Sequence, residues 1–140
     1  MDNYLSGYSF CRQLTFGYLD MMWHTITPER LSEITELERE AVAKTELLPR
    51  VDGTCISTAF SHIFAGGYAA GYYGYKWAEV LDADAFSYFV ENGVYDKKIA
   101  DSFVDNILSK GGTLKAMEMY TNFRGREPQV DALLKRSGLK

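Results

Sequence analysis

Between Tyr4 and His24 the chain has no proline and only two glycines, and its apolar residues keep to no single face. Leu5, Tyr8, Phe16, Leu19, Met22 and Trp23 spread around a helical wheel. A helix that is apolar on more than one side needs neighbours on more than one side. Further helices follow it in the chain. Thr27-Pro28-Glu29 reads as a helix start, with Thr27 as N-cap and Pro28 at the first position. Leu31, Ile34, Leu37 and Ala41 follow at helical spacing, and Glu33, Glu36, Glu38, Arg39 and Glu40 mark the solvated side.

Pro49 and Gly53 break the pattern, so residues 45–54 read as a loop. A short helix is expected over 57–65, stopped by Gly66-Gly67, and a long one over about 69–91, closed by Asn92-Gly93. Asp96 is placed to cap the next helix, whose stripe is Ile99, Phe103, Ile107 and Leu108 and which Gly111-Gly112 ends. Leu114, Met117, Tyr120 and Phe123 make a short helix. Residues 124–127 form a turn, and Pro128 opens a last helix to about Arg136. Strand signals are almost absent. The expected class is all-α, an irregular multi-helix bundle in one domain spanning 1–140.

The net charge of -4, with no basic block, argues against nucleic acid as a partner, because phosphate binding needs clustered Lys and Arg. No run approaches the ~18 apolar residues of a membrane span. Cys11 and Cys55 have no metal-ligand spacing, and Cys11 reads as a small apolar residue within a helix. No secretory leader is visible at the first residues.

The densest chemistry lies between Ala59 and Trp77. His62, one of two histidines, precedes the pair Gly66-Gly67, and Tyr68, Tyr72, Tyr73 and Tyr75 follow closely. On a helix, Tyr68, Tyr72 and Tyr75 would fall at i, i+4 and i+7 with their hydroxyls pointing one way. A core helix filled with aromatic rings would carry the same spacing. Each buried tyrosine, however, needs a partner for its hydroxyl, and phenylalanine would fill the space without that demand. The row therefore also fits a polar cleft.

The run FSHIFAGGYAAGYYGYKWAEVL, together with SFCRQLTFGYLDMMWHTI near the start and NFRGREPQVDALLKRSGL at the end, resembles the thimet oligopeptidase family of zinc metallopeptidases. The similarity points to its branch of oligopeptidases and peptidyl-dipeptidases, and the three blocks cover nearly the whole chain. The resemblance implies the C-terminal part of a larger helical peptidase that hydrolyses short peptides. Members of the family carry H-E-x-x-H, in which two histidines hold zinc and the glutamate activates water. That motif is missing here, where His24 and His62 are the only histidines. Zinc is therefore implied for the full-length enzyme, with no metal ligand in this chain, and the chain alone is expected to be inactive.

By resemblance, Tyr68 and Tyr75 match the family tyrosines that reach the scissile carbonyl. Tyr72 and His62 match positions lining the substrate cleft, and Gly66-Gly67 matches a flexible loop that lets Tyr68 swing in. Tyr73 is expected on another face, as packing. Arg124 and Arg126 could bind a peptide carboxylate or simply tie down a helix turn, and neither is assigned to the site. The implied partners are a short peptide substrate and the remainder of the peptidase. Apolar surface left bare by the missing remainder would favour a homo-oligomer. A cytoplasmic address is expected, with the periplasm as the alternative. A non-enzymatic helical scaffold derived from such a peptidase is the other function class, separated from the first by the absent metal motif.

Overall fold

A computed structural model describes residues 3–140, and among them there are helices and turns and no strand. The chain gathers into two compact units, divided between Trp77 and Ala78. The helices are α1 (Ser6–Thr25), α2 (Ile34–Val42), α3 (Gly74–Asn92), α4 (Lys97–Asn106), α5 (Ala116–Arg124) and α6 (Asp131–Arg136), with single 3₁₀ turns at Pro28–Arg30, Ser61–Ile63 and Leu108–Lys110. No helix among the described residues is long and apolar enough to cross a membrane. The all-α expectation holds.

In the first unit, α1 packs against α2. Leu19, Ile63 and Tyr72 form the buried centre, with Phe16, Met22, Trp23, Ala41, Ile56 and Phe60 around it. Trp23 satisfies its indole N–H on Ser57 Oγ at 2.8 Å, and Thr15 meets Thr45 at 2.7 Å. α2 and the irregular chain over 55–72 thus lie against one side of α1, while its Tyr8, Leu14, Tyr18 and Met21 remain exposed.

Several expectations for this unit are corrected. Thr27 makes no side-chain cap and Pro28 opens only a 3₁₀ turn. Arg30 in that turn reaches Glu33 at 3.0 Å and both oxygens of Glu40 at 2.9 and 3.1 Å, and α2 starts afresh at Ile34. The buried face of α2 is Leu37, Glu38 and Val42, while Leu31 and Ile34 are exposed. Glu38, expected in water, is 0% exposed. Its carboxylate accepts from Ile56 N (2.9 Å), Ser57 N (2.7 Å), Ser57 Oγ (2.5 Å) and Cys55 Sγ (3.3 Å), and pairs with Arg50. Burial alone would raise the Glu38 pKa. The Ser57 hydroxyl, the two backbone N–H groups and the Cys55 thiol reverse that and bring it to about 2.

Only the turn Ser61–Ile63 remains of the helix expected over 57–65. Cys11 is half-buried rather than buried.

The second unit follows its sequence pattern more closely. Gly93 (φ 109°) ends α3, and Asp96 caps α4 by accepting from Lys98 N at 2.8 Å and Ile99 N at 3.1 Å. Phe89, Phe103 and Phe123 bring α3, α4 and α5 together, with ring centroids 5.1–6.0 Å apart. α4 stops at Asn106, and the 3₁₀ turn Leu108–Lys110 intervenes before Gly111-Gly112. The last helix begins at Asp131 rather than Pro128, and the Glu127 carbonyl before it accepts from Arg126 Nη1 at 2.8 Å.

Candidate functional site

The tyrosine row is not one helical face. α3 begins only at Gly74, so Tyr68 and Tyr72 lie in the turns before it and Tyr75 in its first turn. The helix expected from about 69 is displaced by a long-range contact. The Asp20 carboxylate accepts from Ala70 N at 2.9 Å and Tyr72 N at 2.8 Å, and Ala70 takes a left-handed φ of 53°. Gly66 (φ 100°) and Gly67 (φ 84°) precede the turn. Nothing lies within 4 Å of where a Cβ would stand on either, so conformation and not crowding requires glycine there.

The three tyrosines nevertheless converge on His62, carried by the 3₁₀ turn. Tyr68 stacks on Tyr75 with centroids 5.0 Å apart, Tyr72 meets Tyr75 at 5.1 Å, and His62 lies 4.8 Å from Tyr68, 6.0 Å from Tyr72 and 6.4 Å from Tyr75. The Tyr75 hydroxyl stands 3.5 Å from His62 Nε2, at the outer edge of hydrogen bonding. Burial divides the four. Tyr72 is 8% exposed, its hydroxyl donating to Gln13 Oε1 at 3.2 Å and its ring edge-on to Phe16 and Phe60. Tyr75 is 41% exposed, His62 is exposed and Tyr68 is half-buried. Tyr72 is thus the floor of a patch whose open side is His62, Tyr68 and Tyr75. Tyr73 leaves this patch: its backbone lies against Gly17 of α1, and it is 58% exposed.

The Tyr75 pKa is pushed up to about 12, first by its hydrogen bond with Tyr68, then by burial and by the charge that Tyr68 and Tyr72 would bring. At neutral pH the Tyr75 hydroxyl therefore keeps its proton, and it is a neutral donor beside an exposed imidazole.

The described residues do not fit a zinc site. No three His, Cys, Asp or Glu side chains among them gather as ligands. His24 Nδ1 is engaged by Asp20, at 2.7 Å from its carbonyl oxygen and 2.9 Å from Oδ1. In the second unit, Arg126 makes a two-pronged pair with Asp84 at 2.7 and 2.9 Å, and Arg124 holds Glu91 at 3.1 Å and covers the Tyr88 ring at 4.6 Å. Both side chains make ion pairs within that unit.

Asp20 shapes the site and Glu38 the segment before it, and neither was singled out in the sequence. A signal for Asp20 existed: an acid between Leu19 and Met22 on an apolar helix, with His24 one turn on. Glu38 had none, since glutamates surround it on both sides of α2.

Comparison with known proteins adds the family. The model of Peptidase family M3 matches residues 1–139. Oligopeptidase A of Escherichia coli is 46% identical over 139 residues, 99% of this chain and 20% of the relative. Probable cytosolic oligopeptidase A of Arabidopsis thaliana is 44% identical over 133 residues, covering 91% and 19%. Dipeptidyl carboxypeptidase of Salmonella typhimurium is 39% identical over 136 residues, covering 95% and 20%. The chain spans about a fifth of the length of these relatives. With the family match running through both units, the chain belongs to peptidase family M3.

Proposed function

We propose that this chain is the C-terminal part of a zinc peptidase that hydrolyses short peptides, and that it supplies the hydroxyl donors of the active site. The observation that carries this reading is the open patch of Tyr68, Tyr75 and His62. In peptide hydrolysis, negative charge grows on the scissile carbonyl oxygen. A neutral donor aimed at that oxygen stabilises the transition state more than the substrate. Tyr75, fixed in the first turn of α3, is one donor. Tyr68, hinged on Gly66-Gly67, is the second and moves onto the substrate from its stack on Tyr75. His62, Tyr72 and the Gly66-Gly67 backbone line the cleft. The zinc, in this reading, is held by residues outside this chain. A cytoplasmic place fits a relative described as cytosolic.

The test is kinetic and uses the full-length enzyme. Tyr68→Phe and Tyr75→Phe keep the ring and remove the hydroxyl, so each should lower kcat by ~10²–10³ while KM moves little. Tyr73→Phe, away from the patch, should retain wild-type rates. Wild-type kcat in both of the first two variants would remove the catalytic assignment.

A further inference from the structure

Asp20 takes no part in the reaction proposed above, yet it is 0% exposed and touches the tyrosine turn twice. Oδ1 accepts from Ala70 N and Oδ2 from Tyr72 N, so the two oxygens serve two N–H groups in one short turn. The contact spans about fifty residues of sequence and is the link by which α1 dictates the turn. The carboxylate is itself fixed. His24, one helical turn further on, places Nδ1 against both the Asp20 carbonyl oxygen and Oδ1. Both are acceptors, so Nδ1 carries the proton.

The turn needs such a clamp. Ala70 at φ 53° has a conformation that an L side chain adopts only against a steric cost, and the preceding glycines add freedom and no restraint. Left to its own bonds, the segment reads as helix. A helix from 69 would bond the Tyr72 amide to the Tyr68 carbonyl and leave the Ala70 amide without a partner in its first turn. The clamp therefore decides where Tyr68 lies relative to Tyr75.

We propose that Asp20 is a positioning residue: its buried carboxylate, braced by His24, holds the backbone at Ala70 and Tyr72 in the turn that stacks Tyr68 on Tyr75 beside His62. The catalytic consequence rests on the tyrosine reading above, whereas the clamp itself rests on geometry alone. A single amide oxygen cannot replace the carboxylate, since Asn offers one acceptor and turns an N–H₂ toward the second donor.

The experiment has two arms. Residue-resolved amide exchange in the wild-type protein should show Ala70 and Tyr72 protected, although Ala70 is exposed. In Asp20→Asn at least one of these two amides should exchange ~10–100-fold faster, with α2 and α4 unchanged. Free-loop exchange at Ala70 and Tyr72 in the wild type would overturn the clamp even if the variant fails to fold. Acceleration spread equally over α1, α2 and the turn would overturn it too, as loss of general stability. In the full-length enzyme, Asp20→Asn should lower kcat by ~10–10²-fold with little change in KM. Added to Tyr68→Phe, it should cost much less than it does alone, because the donor it positions is already gone. Full additivity would refute the positioning role. Wild-type kcat in Tyr68→Phe and Tyr75→Phe, with the amides still freed by Asp20→Asn, would refute the catalytic reading and leave the clamp standing.

Discussion

Replacing Glu38 by Gln measures how much the first unit depends on one buried charge. The folded pKa of Glu38 is about 2 against an ordinary 4.5, and at 1.36 kcal/mol per pKa unit the ionised form contributes ~3 kcal/mol to folding at neutral pH. Its donors are the Ile56 and Ser57 N–H groups, the Ser57 hydroxyl, the Cys55 thiol and Arg50. Gln has the shape of protonated Glu, with one oxygen replaced by a donor that faces donors. Because the folded pKa is depressed, the stabilisation is fully present above the unfolded pKa and is lost as pH falls through the folded one. Urea unfolding at pH 7 should therefore place Glu38→Gln ~3 kcal/mol below wild type. The gap should shrink between about pH 4.5 and pH 2 and nearly close below that. A gap that stays constant from pH 7 to pH 2, or one under ~0.5 kcal/mol at pH 7, would refute the reasoning, since surface substitutions fall in that range.

Asp84 poses the same question for the second unit. It is buried, accepts from the Tyr120 hydroxyl at 2.7 Å and pairs with Arg126, and burial, which alone would raise its pKa, is outweighed by these partners, which lower it. Arg126→Ala should cost ~3 kcal/mol by stranding that charge and Tyr120→Phe ~1 kcal/mol, both read by urea unfolding; equal and negligible losses would contradict a buried pair. The 140-residue chain alone, loaded with zinc and given a short fluorogenic peptide, should be silent. Stoichiometric zinc with metal-dependent turnover would show that the ligands are present after all.

What the sequence displayed and what it hid divide by range. Helices whose bonds are local were legible: α1 from its unbroken run, α4 from Asp96 and its stripe, and the end of α3 from Asn92-Gly93. Three buried acids were not legible, and each acts across a long stretch of sequence. Asp20 reaches Tyr72, Glu38 reaches Ser57, and Asp84 reaches Arg126. Periodicity treats an acid as a marker of the wet face, which is why Glu38 was expected in water. A carboxylate that finds several N–H donors can instead be buried ionised, and it then fixes the backbone that supplies them.

That substitution bears directly on the tyrosines. Had 69–91 been one helix, Tyr68 would have stood just before its first turn and Tyr72 and Tyr75 would have shared its face, all moving as one body. The Asp20 contact breaks the row at Ala70 and Tyr72. Tyr75 stays with α3 and Tyr72 sinks into the core, while Tyr68 is left on a turn preceded by two glycines at positive φ. One hydroxyl is then fixed and the other is free to approach. Two donors for one growing charge can both reach it only if the second adapts to the bound peptide. The departure from helical spacing is therefore what gives the row its use. Gly67→Ala tests this part: the open space around Gly67 would accept the methyl, but φ 84° would not, so any loss of kcat without loss of the Tyr75 contribution belongs to the motion of Tyr68.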